Sequence, residues 1–321
     1  MTKRNPQLPP AAKRHMVCTI LTLLFRICTL HGSDPTYLST DRILEHPNFL
    51  TCREAYLDAV LNFYQFEPSL IELMLDGGRI MVYAVVMAMW GDYREDDPES
   101  LPSISRLKKT VDLFGVASAR QIDLIVARFV QVGHLQIKPA PSDLRMRIVL
   151  PTPALIEHDR AFIKAHYAAL AEIAGHTAYA LPLAGDLDFL KAVRGAWIAT
   201  LEPMAREIFS QNRPALRFYA ASAGMLMLMR LVQLHVQAGG GWIAIDYTDF
   251  GRRFGVSRTH VRTLLKSAAT GGEIEIDARG HLRLLPTLLS AFDRNVAGRM
   301  SLLDRAHASA LASLNDPIAA R

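Results

Sequence analysis

Cysteine is scarce: among 321 residues only Cys18, Cys28 and Cys52 occur, with no CxxC and no Cys/His cluster at metal spacing. That excludes a disulfide scaffold and a zinc module, and it fits a reducing, cytoplasmic setting. Long apolar runs are also missing. Met16 to Leu30 follows Lys3, Arg4, Lys13 and Arg14 as a signal peptide's apolar region would, but Arg26 interrupts it and no small-x-small cleavage site follows. A membrane span needs about 20 apolar residues. The segment therefore reads as a basic leader before a first helix, or as leader sequence with Met16 as the true start, and no membrane partner is expected. No Walker A loop, GxSxG, HExxH or helix-opening GxGxxG is present, so neither a catalytic constellation nor a cofactor or metal site is implied. Charge of one sign is not in large excess: 36 Lys+Arg against 31 Asp+Glu give +5, which permits an anionic partner without identifying one.

What is present is a globular composition, half apolar and 21% charged, which excludes a disordered chain. It is written twice. Leu113-Phe-Gly-Val-Ala-Ser-Ala-Arg-Gln-Ile122 has a counterpart in Arg253-Phe-Gly-Val-Ser-Arg-Thr-His-Val261. Allowing one extra residue at Ala117, Ser118, Ile122, Ile125, Val126, Phe129, Gly133, Leu135 and Ile137 match Ser257, Val261, Leu264, Leu265, Ala268, Gly272, Ile274 and Ile276 at a constant offset of 139. Leu150-Pro-Thr152 then answers Leu285-Pro-Thr287 at 135, placing a shortened hairpin loop in the second copy. Upstream, apolar helices around Gly78 to Trp90 and Cys52 to Gln65 parallel Ala223 to His235 and Trp197 to Ser210. The expected organisation is a leader and first helix over 1–34, one module with flanking helices over 35–180, and a second over 181–321. Duplicated modules that each present a helical interface pair across a pseudo-twofold axis.

In the second copy, Tyr247 to Phe254 has the spacing of a short helix. Gly255 supplies a turn and Ser257 an N-cap, and Val261, Leu264, Leu265 and Ala268 form one inward stripe. Gly271-Gly272 stops that helix before two short strands, Glu273 to Ile276 and His281 to Leu285. The first copy repeats this with a helix over Ile104 to Phe114, a turn at Gly115, a helix over Ala119 to Val132, and strands over Leu135 to Lys138 and Arg145 to Leu150. Helix, turn, helix and a two-stranded wing is the winged-helix layout, so the predicted fold is mainly α with short β wings in two tandem modules.

Gly255-Val-Ser-Arg-Thr259 with Val261 and Leu265 is similar to the turn and recognition helix of bacterial helix-turn-helix regulators. Each module, with a wing ending in Leu150-Pro-Thr or Leu285-Pro-Thr, resembles the MarR-type winged-helix regulators, although members of that family carry one module per chain. The resemblance implies a transcriptional regulator that binds duplex DNA. A recognition helix meets the major groove with its N-terminal part, which places Arg258, Thr259 and Arg262 over base edges and Ser257 and Lys266 near phosphates. Arg279 stands at the wing tip. Ser118, Arg120, Gln121 and Arg145 are the candidates of the first copy, whose Asp123 and Ala127 replace Arg262 and Lys266. Two unequal half-sites are therefore expected.

Local charge agrees. Asp249 to Arg305 holds ten Lys/Arg against six Asp/Glu, and Ser105 to Lys164 ten against five, so the basic excess lies in the two copies and the remainder is acidic. Met225, Met227 and Met229 with Trp197 and Trp242 are either interface core or the wall of a cavity for a small aromatic effector, as in regulators of this type. The run Asp92 to Glu99 reads as a solvated linker. A second copy of the chain is the candidate protein partner. Two other functions fit the same layout: a replication-initiator-like DNA binder, and a protein-interaction module that does not touch DNA.

Overall fold

The computed structural model describes residues 37–65, 76–141, 143–197, 214, 217–218 and 221–315. The leader and helix expected over 1–34, with Cys18 and Cys28, lie outside the described residues, as does the segment 198–210 of the expected helix. The described part belongs to one compact unit, Tyr37–Arg321. It is mainly helical, with two small two-stranded antiparallel sheets.

The first half runs α1 (Thr40–Leu44), α2 (Phe49–Gln65), α3 (Gly77–Asp92), a 3-10 turn (Pro98–Ser100), α4 (Ile104–Asp112), α5 (Ala119–Gln131), β1 (Leu135–Pro139), β2 (Arg147–Pro151) and α6 (Pro153–Ala174). A 3-10 turn (His176–Tyr179), α7 (Ala180–Ala184) and a helix α8 over 187–197 lead across. The second half continues with α9 (Gly224–Gln237), α10 (Tyr247–Arg253), α11 (Arg258–Thr270), β3 (Ile274–Ile276), β4 (Leu282–Leu284) and α12 (Pro286–Asn315). The order α3-α4-α5-β1-β2-α6 is thus the order α9-α10-α11-β3-β4-α12. Even an irregular detail recurs: Ser103, before α4, bridges to Ile148 of β2, and Ile243, before α10, bridges to Leu282 of β4.

Local chemistry explains why both stretches fold this way. Gly115 and Gly255 adopt φ of +62° and +65°, a left-handed turn that an L side chain strains to enter. Ser118 and Ser257 then cap α5 and α11, each accepting the N–H of the residue three positions on. Ile122, Val126 and Phe129 point inward from α5, and Val261, Leu264, Leu265 and Ala268 from α11. One boundary departs from expectation. Arg145 lies in the hairpin turn rather than in β2, because the Asp143 side chain takes the Arg145 N–H and the Asp143 carbonyl takes the Met146 N–H, each at 2.9 Å.

The halves share a core. The larger buried cluster joins Ile43 to Leu61 and Ile163 to Ala171 of the first half to Leu226 to Ala310 of the second, and a smaller one lies among α3, α4, α5 and the first hairpin. The position near 181 therefore does not divide one core from another. Two ion pairs cross between the halves in opposite senses. Asp159 on α6 pairs with Arg194 on α8, with Nε to Oδ2 at 2.8 Å and both side chains fully buried. Asp293 on α12 pairs with Arg53 on α2 at 2.9 Å, part-buried. Arg194 also lies over the Trp197 ring at 4.1 Å, and Tyr83 of α3 donates its hydroxyl to Asp159.

Candidate nucleic-acid interface

On α11, Arg258, Thr259, Arg262 and Lys266 are all exposed. The three cations recur every four residues, so they follow one side of the helix. Among the described residues none of them has an ion-pair partner; Arg258 acts on Asp246, whose carboxyl is held below the usual range chiefly by the Asp249 and Thr248 N–H groups and more weakly by Arg258. Ser257 is occupied as the cap, accepting from His260 N–H at 3.1 Å, while the His260 ring meets the Ser222 carbonyl at 3.1 Å. An open cleft of about 500 Å3 runs past this helix start, lined by Ser257, His260 and Gly255 on one side and by the Asp76–Arg79 ion pair of α3 on the other.

The hairpin tips are built alike. Asp277 accepts the Arg279 N–H at 2.8 Å, as Asp143 accepts that of Arg145 at 2.9 Å, so an Asp-x-Arg turn holds each exposed arginine at its tip. Against partial desolvation, bonds from the His281 and Arg279 N–H groups and the His281 ring keep the Asp277 carboxyl ionised below the ordinary carboxylate range. This recurrence was readable as Asp143-Leu-Arg145 and Asp277-Ala-Arg279, but the loop-length difference hides it from a fixed offset.

The stretch α4–α5–β1–β2 presents different chemistry at the corresponding places. Ser118 and Gln121 satisfy one another in a capping box, Gln121 Oε1 accepting the Ser118 N–H at 2.8 Å and Ser118 Oγ the Gln121 N–H at 3.3 Å. Arg120 is exposed. Asp123, aligned with Arg262, binds Lys108 of α4 at 2.6 Å and removes that cation from the surface balance. Around them the surface is apolar: Leu113, Leu144 and Leu124 are 78%, 75% and 63% exposed, and Val116, Val130 and Met146 are exposed too. Over 247–284 the only comparable exposed apolar residue is Ile276.

Met227 and Met229 are buried in the larger core and Met225 packs against it, Trp197 lies under Arg194, and Trp242 sits half-exposed beneath Arg283 at 5.0 Å. Two clefts of about 500 Å3 are lined by other side chains. In the acidic run, Asp92 pairs with Arg106 and Asp97 with Arg94. Among the described residues no group of three metal-ligating side chains occurs, and no helix is long and apolar enough to cross a membrane. Compared with family models, with curated proteins and with solved structures, the chain matches none.

Proposed function

We propose that the chain is a sequence-specific duplex-DNA-binding protein, a bacterial transcriptional regulator of MarR-like winged-helix type, whose second module supplies most of the binding energy. The observation that carries this reading is the exposed stripe Arg258, Arg262 and Lys266 on α11, without ion-pair partners among the described residues and beginning at the helix N-terminus. A capped helix start directs free N–H groups and a positive dipole end at phosphate, and arginine is shaped for two hydrogen bonds to guanine. Arg279 would reach the backbone from the wing. The recurring element order, the Asp-x-Arg tips and the reciprocal Asp159–Arg194 and Asp293–Arg53 pairs support an internal duplication about a pseudo-twofold axis.

A second reading is favoured for the first module alone. Its apolar Leu113, Leu124 and Leu144, together with the internally neutralised Asp123, suit contact with protein better than with phosphate. The test is selection of genomic fragments by the full chain at two salt concentrations. Neutralising three phosphates gives a salt slope of about −2.7, so affinity should fall about 40-fold from 50 to 200 mM salt. Enrichment of scattered promoter sites supports a regulator, and enrichment of iterated repeats a replication initiator. Enrichment of nothing at either salt rejects DNA binding and leaves the protein-interaction module.

A further inference from the structure

A second open cleft of about 500 Å3 lies between α9 and α10, lined by none of the residues assigned to base reading. Its floor is apolar, from Leu234, Ile245 and Phe250, and its polar lining is Arg230, Arg252, Arg253, Asp246 and Asp249. Three of these charges are already matched. Arg252 pairs with Asp249, and Asp246 is spent on the N–H groups that open α10, at 2.6 Å from Thr248 and 3.1 Å from Asp249. Arg230 and Arg253 remain. Arg230 is steered by Gln233, which accepts from its Nη1 at 3.0 Å and itself donates to Asp58 at 2.6 Å. Arg253 has neither a hydrogen bond nor an ion pair through its side chain among the described residues.

Two guanidiniums facing one cleft repel each other. Burial lowers the Arg230 pKa, and the Arg253 charge lowers it further, with Asp58 only partly opposing. An anion would relieve that repulsion, and an oxyanion, carboxylate or phosphoryl, offers two oxygens to each arginine fork.

We propose that the Arg230–Arg253 cleft is a binding site for one oxyanion, a phosphoryl or carboxylate group. The group is either a backbone phosphate of bound duplex or the acidic head of a free small molecule whose body rests on Leu234, Ile245 and Phe250. Because α10 also packs on α11, occupancy by either would bear on the recognition helix.

The test uses the full chain and inorganic phosphate, with ionic strength held constant by sodium chloride. Phosphate at millimolar concentration should raise the melting temperature of the natural chain saturably by a few degrees. Arg253→Gln should abolish that rise while melting, without phosphate, no lower than the natural chain, since it removes a repulsion; a natural chain that ignores phosphate, or an R253Q chain that responds as fully, overturns the proposal. Arg230→Gln should abolish the rise as well. The source is read separately from duplex affinity against salt. A slope lower by about one contact in R253Q assigns a DNA phosphate, and an unchanged slope assigns a free ligand. The phosphate arm stands even if the chain binds no duplex at all, so its failure is distinct from failure of the DNA reading.

Discussion

The two helix–turn–helix–hairpin stretches, Ile104–Pro151 and Tyr247–Leu284, share a backbone plan and differ in what they show to solvent. Inward positions, glycine turns and serine caps agree almost residue for residue. Outward positions do not: Ala119, Asp123, Leu124 and Ala127 of α5 stand where α11 carries Arg258, Arg262, Thr263 and Lys266. The difference teaches that the fold rests on the inward stripe and the turns, leaving the outer face free to be cationic in one copy and apolar in the other.

The largest expected effect concerns the buried pairs. Asp159→Asn leaves Arg194 charged in a fully buried place and should cost about 3–5 kcal/mol of stability. Asp293→Asn, at the shallower reciprocal pair, should cost less than about 2 kcal/mol. Urea unfolding of both variants checks the ratio, and equal losses would erase the distinction between the two crossings.

Next comes the contrast between α11 and α5. Reversing Arg262 to Asp, the residue the first copy already carries, should weaken duplex binding about 100-fold, since a good base contact is worth about 1–3 kcal/mol and the reversal adds repulsion. Arg120→Ala should change affinity less than about threefold by the same scale. Fluorescence anisotropy on a selected site measures both, and matching losses would contradict the asymmetry.

Acid sensitivity should be strongest at α6, although burial also lowers His235 of α9 and His307 of α12. Burial lowers His158 of α6 to about 4 and His166, also of α6, to about 3, from an ordinary value of 6.5. In the unfolded chain both take up a proton below 6.5 while the folded chain resists, so the unfolded state binds more protons and stability falls as pH drops. Their contribution is complete above pH 6.5 and is lost progressively toward pH 3 to 4. Urea midpoints should be level near pH 7 to 8 and decline below 6.5; replacing His166 by Gln should flatten the decline.

The smallest effect separates cap from contact. Ser118→Ala should cost about 1 kcal/mol of stability through loss of the α5 cap. It should leave duplex affinity unchanged, because the Ser118 side chain is already committed to Gln121. A matching affinity loss in the anisotropy assay would return Ser118 to the interface.

Much of the fold was legible because its signals are local. Gly115 and Gly255, Ser118 and Ser257, and the inward stripes each act within a few residues, and they placed α5 and α11 to within a residue or so at each end. What depends on how elements cross was not legible. The Lys108–Asp123 pair spans two helices, so the sequence showed Asp123 in the place of Arg262 without showing its partner. The shared core joins segments more than a hundred residues apart. Arg194 is legible in the sequence as well: with Leu190, Val193 and Trp197 it occupies an inward stripe, and an arginine there must be paired in the interior. In the candidate site, the cations of α11 could be named from sequence because exposure follows from the stripe they avoid. Whether each was free of a partner required the fold.

The most direct test compares the salt dependence of duplex affinity for the natural chain with that of a chain carrying Arg258→Gln, Arg262→Gln and Lys266→Gln. The account predicts a slope shallower by at least about 0.9, the share of Lys266 on a phosphate, whereas neutralising Arg120 and Arg145 changes it by less than half as much. A slope unchanged by the α11 substitutions would contradict the claim that α11 is the DNA-binding helix.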